Sequence, residues 1–395
     1  MKYAICVGDG MADVAYRELD NCTPLEYACT PNMDKIAKVG FVGRVQTIPD
    51  GLPPGSDVAN MSLLGYDAKK YYSGRAPIEA ASMGVDLKAD DVAFRCNLVT
   101  LRDGVMADYS AGHIETEDAR ELIGDLEGEI GNERIRFYPG VSYRHLLVVT
   151  HFSEGKLECT PPHDISGKPW KQHLPKGEGS DELLSIMERA RKVLEKAMTN
   201  RRRSGSGKLP ATDIWLWGQG GSVRLPTMKD RFALTGSVIS AVDLVQGLGV
   251  LAGLTVRKVH GATGYLGTNY AGKVAAAREA LLREDFVFLH VEAPDETSHE
   301  GSLQKKIRAI EEFDRNVVGE MFSLSAELKN LRLLVLPDHA TPVVMKTHDA
   351  GPVPFTMCGP GIPSDDAIGY SEKAAEGKPL ISAVDLFEQF IKGPV

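Results

Sequence analysis

The chain has 395 residues, of which 43% are hydrophobic and 25% are charged, a composition typical of a soluble globular protein. A prior of roughly 150 residues per domain suggests two or three structural units. The formal net charge of -9 argues against a general nucleic-acid binder and against a binder of anionic membranes. We therefore expect neither nucleic acid nor a membrane among the partners of this protein.

Cysteine usage and the start of the chain point to the cytoplasm. The six cysteines include no CxxC pair, and without a secretory start they are expected to stay reduced. Only five residues separate Lys2 from Gly8, which is too short for the apolar region of a signal peptide. No apolar run approaches the length of a membrane span. The sequence therefore predicts a cytoplasmic protein.

Both ends of the chain contain short apolar runs that stop at polar residues. YAICV (3–7) comes first, and FVFLHV (286–291) and LRLLVL (331–336) lie near the other end. Apolar runs without alternation are typical of strands that are covered on both faces of a parallel sheet. Residues 238–254 and 303–322 have the spacing of apolar residues expected for helices, and the short strand TVRKV follows the first of them.

The middle of the chain, from about 87 to 230, mixes strand-like and helical segments. The strand-like segments are VAFRCNLVTL (92–101) and YRHLLVVT (143–150), and the helical ones are ETEDARELIGDLEGEI (115–130) and DELLSIMERARKVLEKAM (181–198). Residues 199–212 contain three consecutive arginines that could grip a phosphate, but a solvated, mobile loop is the favoured interpretation.

The predicted fold class is α/β. We expect residues 1–86 and 231–395 to form a core with a mostly parallel sheet covered by helices on both faces. We expect residues 87–230 to form a smaller α+β domain inserted into that core.

Polar residues follow the predicted strands of the core. They are Asp9, the pair Asp295 and His299, the adjacent Asp338 and His339, and then His348, with Ser56 added from a turn-rich segment. Ligands gather at the carboxyl ends of strands in open α/β sheets. Imidazole and carboxylate together suit Mn or Zn, and seven ligands are too many for one tetrahedral ion but divide well between two.

The spacing of these residues allows a two-metal site for phosphoryl transfer. Asp295 and His299 would share one face of a helical turn. Asp338 and His339 are neighbours in a segment predicted to be extended, so their side chains could each face a different ion. Each element alone has an ordinary structural interpretation, since Asp9 could be a turn residue and the Asp338–His339 pair could be a cap. Their joint position at strand exits favours the metal site.

Ser56 has two interpretations. It could be the N-cap of a helix that begins near Val58. It could also be a nucleophile, because a helix N-terminus attracts phosphate oxygens and a metal ion activates a hydroxyl. No G-x-S-x-G elbow surrounds it, so activation by a metal is favoured over a Ser-His-Asp triad.

Several segments together resemble the archaeal-type, cofactor-independent phosphoglycerate mutases of the alkaline phosphatase superfamily. These are GDGMAD (8–13), TPLEYACTPNMDKIA (23–37), PPGSDVANMSLLGYD (53–67), YYSGRAPIEAASMGV (71–85), APDETSHEG (293–301), LPDHATP (336–342) and HDAGPVPF (348–355). The resemblance implies a phosphatase-like core that holds two divalent ions (Mn, Zn or Co), with no requirement for 2,3-bisphosphoglycerate.

The resemblance also implies a role for each candidate residue. Ser56 would accept the phosphate and return it to the other hydroxyl of the retained glycerate. Asp295, His299 and His348 would hold one ion, and Asp9, Ser56, Asp338 and His339 would hold the other. The inserted domain would bind the substrate and close over it as a lid, which excludes water.

Two segments depart from the pattern expected for these mutases. ADYSAGH (107–113) and IWLWGQG (214–220) stand where arginines are expected, and arginine binds phosphate and carboxylate in a way that Tyr, His or Trp cannot reproduce. This departure resembles a bacterial branch proposed to act as homoserine kinase. No G-x-x-x-x-G-K-[ST] loop supports a nucleotide site.

The sequence leaves three candidate functions, and phosphoglycerate mutase is the favoured one. The alternatives are a homoserine-kinase-like phosphotransferase of threonine biosynthesis and a non-catalytic, metal-stabilised binding protein. The expected partner is a small phosphorylated metabolite, hydroxy acid or amino acid, and a homo-oligomer is possible. The candidate substrate residues are Arg75, Asp108, His113, Arg144 and His163. Trp215 and Trp217 alternate on a strand, so at least one is expected in the core.

Overall fold

The computed structural model describes residues 1–153 and 155–393, and its strands lie in two separate sheets. The strands are β1 Lys2–Gly8, β2 Phe41–Gln46, β3 Asp91–Arg102, β4 Val105–Asp108, β5 Ile135–Val141, β6 Arg144–Thr150, β7 Asp213–Gly221, β8 Gly236–Ile239, β9 Thr255–Val256, β10 Phe286–Val291, β11 Leu331–Leu336, β12 Val353–Cys358 and β13 Leu380–Ser382.

Helices of very different length connect these strands. They are α1 Pro24–Tyr27, α2 Pro31–Val39, α3 Ser56–Leu63, α4 Ala68–Tyr71, α5 Arg75–Ser82, α6 Thr116–Ile130, α7 Ser180–Lys196, α8 Met198–Gly205, α9 Met228–Phe232, α10 Asp243–Leu251, α11 Tyr270–Arg283, α12 Ala293–His299, α13 Leu303–Phe313, α14 Gly319–Glu327, α15 Glu372–Ala375 and α16 Ala383–Lys392. A π-turn, Asp314–Val318, joins α13 to α14. No helix in the described ranges has the length and hydrophobicity needed to cross a membrane.

The first unit contains the larger sheet and comprises Met1–Tyr72 together with the chain from Arg224 onward. Its strand order is β13-β2-β12-β11-β1-β10-β8-β9. The pairs β11–β1, β1–β10, β10–β8, β8–β9 and β13–β2 are parallel, whereas β12 is antiparallel to both of its neighbours. The predicted α/β class and the mostly parallel sheet are therefore confirmed.

Both faces of the larger sheet are covered, which explains why its strands are apolar throughout. Successive side chains of a strand point to opposite faces. In β1, Ala4 and Cys6 join the buried cluster that includes residues of α2, α11 and α13. Tyr3 points the other way and packs edge-on against Phe390 of α16, with ring centroids 5.7 Å apart.

The second unit, Ser73–Val223, has the smaller sheet. Its order is β4-β3-β6-β5, and β7 pairs with β3 as well, all antiparallel. Helices α6 and α7 pack on β5 and β7, and Phe94, Leu122 and Trp215 are among the buried residues of this core. Trp217 is also buried, so both tryptophans of the strand lie in the core.

The boundaries of the two units differ from those in the sequence-based interpretation. The predicted change from core to insert lies at 86/87, whereas the second unit begins at Ser73 and ends at Val223. Helix α5 explains the difference, because Ala76 and Ala80 pack with Ala93 of β3 and Leu146 of β6. The predicted substrate-binding role of the insert stays a prediction.

Two local predictions are wrong. Residues 199–212 do not form a loop throughout, because α8 covers Met198–Gly205 and Arg203 is buried. Residues 238–254 do not form one helix, because Val238 and Ile239 pair with β10 in β8 and α10 begins only at Asp243. In both places tertiary partners override the local pattern. The predicted helix over 303–322 is confirmed by α13, the π-turn and the start of α14.

Candidate metal centre and active site

Three neighbouring parallel strands end at the same edge of the larger sheet. Asp9 follows β1, Asp295 and His299 lie in α12 just after β10, and Asp338 and His339 follow β11. Because β10, β1 and β11 are adjacent and parallel, their carboxyl ends meet. The described residues form two clusters with the spacing of metal ligands, and both lie at this edge.

The first group consists of Asp295, His299 and His348. His299 Nε2 lies 3.1 Å from Asp295 Oδ2 and 3.1 Å from His348 Nε2, and His348 Nε2 lies 3.6 Å from Asp295 Oδ1. His299 Nδ1 lies 2.9 Å from the Lys346 carbonyl oxygen, which can only accept. The hydrogen of the neutral ring is therefore on Nδ1, and the lone pair of Nε2 points into the group.

The second group consists of Asp9, Asp338 and His339. His339 Nε2 lies 3.4 Å from Asp9 Oδ1 and 3.5 Å from Asp338 Oδ2. Thr341 Oγ1 donates to Asp295 Oδ1 at 2.6 Å, so its lone pair can accept from His339 Nδ1 at 3.1 Å. This again leaves the lone pair of Nε2 directed at carboxylates.

The spacing-based suggestion that Asp338 and His339 face different ions is wrong, since both belong to the second group. Strand β11 ends at Leu336, so the alternation of an extended strand does not continue through them. The backbone N–H of His339 donates to Asp338 Oδ1 at 2.9 Å, and Gly10 N–H donates to the same oxygen at 3.1 Å.

The electrostatics of the two groups follow from burial and from neighbouring charges. Burial, together with the carboxylate of Asp338, raises the pKa of Asp9 well above its usual range. Burial also opposes ionisation of Asp338, but nearby His339 and His290 outweigh it and lower the pKa of Asp338. Burial lowers the pKa of His339, which favours the neutral, ligating ring. For His299, burial is outweighed by Asp295, which raises the pKa to about 9.

The donor set fits two divalent metal ions. Imidazole lone pairs and carboxylate oxygens converge in each group, and Asp9 Oδ1 is buried without a hydrogen bond from any described residue. Buried lone pairs that face one another are unfavourable unless a cation lies between them. Mixed nitrogen and oxygen ligands are typical of Mn, Zn and Co sites rather than Ca or Mg sites.

Ser56 lies beside the second group. Its Oγ is 3.1 Å from His339 Nε2. The interpretation of Ser56 as an N-cap is wrong, because Gly55 occupies that position and Ser56 is the first residue of α3. Asn60, one turn later, donates through Nδ2 to the Ser56 carbonyl and to Asp338 Oδ2, both at 2.8 Å. The helix start is therefore tied directly to a candidate metal ligand.

Gly10 allows the two groups to approach each other. It has φ +61°, and a Cβ at this position would lie 2.5 Å from Asp295 Oδ1 and 2.6 Å from Thr341 Oγ1. Such contacts are not tolerated, and the left-handed conformation also disfavours other residues. A glycine is thus required where the chain passes between Asp9 and the first group.

Three of the candidate substrate residues lie around Tyr109 of the second unit. The rings of His113 and His163 are 6.4 and 6.3 Å from that of Tyr109. Asp108 accepts from the backbone and the hydroxyl of Ser110, both at 2.7 Å. Burial would raise the pKa of Asp108, but these hydrogen bonds and nearby His113 outweigh it and lower the pKa.

The other two candidates, Arg75 and Arg144, lie with a third arginine. Arg75 and Arg95 both pair with Glu79, at 3.0 and 2.9 Å. The Arg95 guanidinium lies over the Trp217 ring, 4.2 Å from its centroid. Burial, and the charges of Arg75 and Arg144, lower the pKa of Arg95 to about 10 despite Glu79. The His163 ring is 5.4 Å from Trp217 and so joins this cluster to Tyr109.

Comparison with known proteins identifies the family. A family model described as 2,3-bisphosphoglycerate-independent phosphoglycerate mutase matches residues 37–200. A mutase of that name from Methanosarcina barkeri is 51% identical over 99% of this chain and 100% of its own length. The chain belongs to the 2,3-bisphosphoglycerate-independent phosphoglycerate mutase family. A probable mutase of the same name from Geobacter sulfurreducens is also 51% identical, with 96% of each chain covered.

Solved structures agree with membership of this mutase family. A protein from Pyrococcus horikoshii has a TM-score of 0.82 and 29% identity, with 100% of this chain and 98% of that chain covered. A cofactor-independent phosphoglycerate mutase from Thermoplasma acidophilum has a TM-score of 0.67 and 26% identity, with 99% of each chain covered. The relatives favour the mutase over the homoserine kinase and over the non-catalytic binding protein.

Arginines are present in the second unit of this mutase-family member even though residues 107–113 and 214–220 contain none. Arg75, Arg95 and Arg144 come from α5, β3 and β6. These three arginines lie together in the second unit, although not at the expected places in the sequence.

Sequence reasoning missed several residues that support the site. No local sequence pattern marks Asn60 or Arg95. The partner of Asn60, Asp338, is distant in the sequence, and the partner of Arg95, Glu79, lies on another element. His290 did give one, since it is the single polar residue inside the apolar run FVFLHV. A buried polar side chain requires a partner, and that requirement could have singled it out.

Proposed function

We propose that this protein interconverts 3-phosphoglycerate and 2-phosphoglycerate through a phosphoserine intermediate on Ser56. The observation that supports this most directly is the 3.1 Å distance from Ser56 Oγ to His339 Nε2, at the start of a helix and beside the second group. The names of the relatives supply the substrate class.

The reaction would proceed in two transfers. Ser56 Oγ bonds to phosphorus while the bond to the C3 oxygen of glycerate breaks, and the C2 oxygen of the retained glycerate then displaces Ser56. Two divalent ions, which we propose to be Mn, Zn or Co, would stabilise charge on the phosphoryl oxygens and favour the deprotonated serine. Asp295, His299 and His348 would hold one, and Asp9, Ser56, Asp338 and His339 the other.

The second unit would recognise the glycerate. Arg75 and Arg144 could bind its carboxylate, because an arginine fork matches carboxylate geometry. Asp108, His113 and His163 could bind its hydroxyl groups. Closure of the inserted unit as a lid, a cytoplasmic location and a possible homo-oligomer all stay predictions.

The decisive assay compares substrates with one metal-loaded preparation. With Mn, Zn or Co and 3-phosphoglycerate, we expect formation of 2-phosphoglycerate without added 2,3-bisphosphoglycerate. A parallel reaction with homoserine and ATP should show no homoserine-dependent ATP consumption. The absence of 2-phosphoglycerate with all three metals would reject the mutase proposal, and turnover of homoserine would replace it with the kinase.

Ser56→Ala tests the nucleophile. We expect loss of the trapped phosphoenzyme and a fall in kcat of at least about 10³-fold, because the covalent route requires that hydroxyl. Ser62→Ala is a matched control on the same helix, since Ser62 Oγ donates only to the Val58 carbonyl at 2.9 Å. Rapid acid quench and mass spectrometry should detect the phosphoenzyme in the control. A phosphoenzyme in Ser56→Ala would exclude Ser56 as the acceptor.

A further inference from the structure

Lys306 is a buried lysine that the proposed mechanism does not use. It lies near the start of α13, and its side chain is completely shielded from solvent. Its Nζ donates to the Ala12 carbonyl at 3.0 Å, to the Thr341 carbonyl at 2.9 Å and to Asp13 Oδ2 at 2.8 Å. An ammonium group has three hydrogens, so each of them has an acceptor. Because lysine is almost never fully buried without partners, the surrounding segments are arranged around this ammonium group.

The partners of Lys306 lie in the two segments that carry the second metal-ligand group. Asp13 follows Asp9 in the segment after β1. Thr341 follows His339 in the segment after β11. Helix α13 contributes several residues to the buried core of this unit, so it is a firm anchor. Lys306 thus fastens both ligand-bearing segments to one helix.

Thr341 extends this connection to the first metal-ligand group. Its Oγ1 donates to Asp295 Oδ1 at 2.6 Å and accepts from His339 Nδ1 at 3.1 Å. Its backbone N–H donates to the Ala12 carbonyl at 3.1 Å, and the same carbonyl accepts from Lys306. Lys306 therefore holds the backbone of the residue whose side chain contacts both groups.

Asp13 balances the charge of Lys306. Both side chains are fully buried, and Asp13 Oδ2 also accepts from Val343 N–H at 3.2 Å. Asp13 Oδ1 accepts from Val14 N–H at 2.7 Å and from the Tyr16 hydroxyl at 2.8 Å. The pair has no net charge, whereas an unpaired ammonium group near the metal-ligand groups would repel divalent cations. The two segments are therefore connected without an electrostatic penalty to metal binding.

We propose that Lys306 is a positioning residue for the metal centre, which holds the segments after β1 and β11 in the arrangement that both ions require. It acts through Ala12, Asp13 and Thr341. The inference rests on the two-ion centre of the proposed function and not on the identity of the substrate. Residues that support metal ligands by hydrogen bonds typically contribute about 10- to 100-fold to metal affinity. Because Lys306 acts one step further from the ions, we expect an effect of about 10-fold.

Lys306→Met tests this role, and Lys305→Met is the matched control. Both variants lose an ammonium group at adjacent positions of α13, but the Lys305 side chain is half exposed and bonds to Tyr265 and Glu300. The metal-free proteins are titrated with Co²⁺, and the visible absorption of the bound ion is recorded. This spectrum reports the arrangement of the ligands as well as the affinity, so no turnover needs to be measured.

We expect the Kd for Co²⁺ to rise about 10-fold in Lys306→Met, with a changed absorption band. Lys305→Met should match the wild type in both respects. A merely structural role would lower the unfolding midpoint of the metal-free protein and leave the Kd and the band unchanged. That result in a folded Lys306→Met protein would overturn the inference.

A double variant covers the case in which Lys306→Met does not fold because Asp13 has lost its partner. Asp13→Asn combined with Lys306→Met removes both charges, which proteins often tolerate better than the loss of one. Wild-type Kd and spectrum in this variant would also overturn the inference. A wild-type protein that binds fewer than two Co²⁺ ions would reject the two-ion centre and this inference with it. Normal binding and the expected shift in Lys306→Met, without mutase turnover, would reject only the proposed reaction.

Discussion

Three histidines at the sheet edge have the same hydrogen-bonding pattern at Nδ1, and a fourth histidine, in the second unit, has the opposite pattern. His290, His299 and His339 each place Nδ1 against an acceptor and direct Nε2 at carboxylates. In His145 of the second unit, Nδ1 instead accepts from Gly140 N–H at 3.0 Å. The hydrogen of the His145 ring is therefore on Nε2, which lies buried without a partner among the described residues. The hydrogen-bond partner of one ring nitrogen thus determines which nitrogen carries the lone pair.

The buried ring of His145 predicts acid sensitivity. Burial lowers its pKa to about 3, against about 6.5 in an unfolded chain. The unfolded state therefore binds more protons between these values, and the stabilisation present above pH ~6.5 is lost as the pH falls toward 3. The slope is at most about 1.4 kcal/mol per pH unit.

His145→Gln removes this titration. Urea unfolding at a series of pH values should give a shallower fall in the free energy of unfolding for the variant between about pH 6 and 4. Equal slopes in the two proteins would show that His145 does not contribute to acid sensitivity.

Helix α8 illustrates how distant partners determine an element. It contains three consecutive arginines, yet Arg203 is buried and pairs through Nη1 with Glu115 at 2.6 Å and with Asp118 at 2.9 Å. Its other guanidinium nitrogens donate to the Leu209 and Ala111 carbonyls. These partners bind the Arg203 guanidinium, which a mobile loop would have exposed to water, whereas Arg201 and Arg202 stay exposed.

Arg203→Ala should therefore destabilise the second unit strongly. Removing the buried guanidinium takes away the donors to the Leu209 and Ala111 carbonyls, whereas Glu115 and Asp118 keep Lys208 and Arg202 as partners. Leaving such buried acceptors unsatisfied typically costs about 1–3 kcal/mol. Arg201→Ala is the control on the same helix, and the exposed position predicts a change within ~0.5 kcal/mol. Urea unfolding followed by tryptophan fluorescence measures both. A small effect of Arg203→Ala would mean that this ion pair is not important for stability.

Across the whole molecule, the candidate metal-ligand groups and the tryptophans lie in different units. Both metal-ligand groups and Ser56 belong to the first unit. All three tryptophans, Trp170, Trp215 and Trp217, belong to the second. Tryptophan fluorescence therefore reports on the second unit alone, and metal binding stabilises states in which the first unit is folded.

Metal removal should affect the two units unequally. A free-ion concentration of 100 times Kd adds about 2.7 kcal/mol per site to the folded first unit. Adding a chelator should lower the calorimetric transition of that unit by several degrees, while the midpoint seen by tryptophan fluorescence moves less. If both midpoints shift together, the two units unfold as one.

The sequence predicted features that depend on neighbouring residues. Apolar runs that end in acidic residues located Asp9, Asp295 and Asp338 at strand exits, because strand burial and strand ends leave local patterns. The burial of Arg203 was not predictable, since Glu115 and Asp118 are more than eighty residues away in the chain. The role of Ser56 was ambiguous for the same reason, because His339, whose Nε2 lies 3.1 Å from Ser56 Oγ, is 283 residues away in the chain.

The inserted unit leaves the first after Tyr72 and rejoins it at Arg224, and the candidate metal ligands found among the described residues all lie outside 73–223. On the proposed assignment, mutations in 73–223 can alter which molecule is accepted while the donors for phosphoryl transfer stay unchanged. Evolution could therefore redirect such a protein to a new phosphate acceptor by drift in one continuous stretch of the gene. Relatives that retain Ser56 and its metal ligands but differ in 73–223 are the natural place to look for other activities.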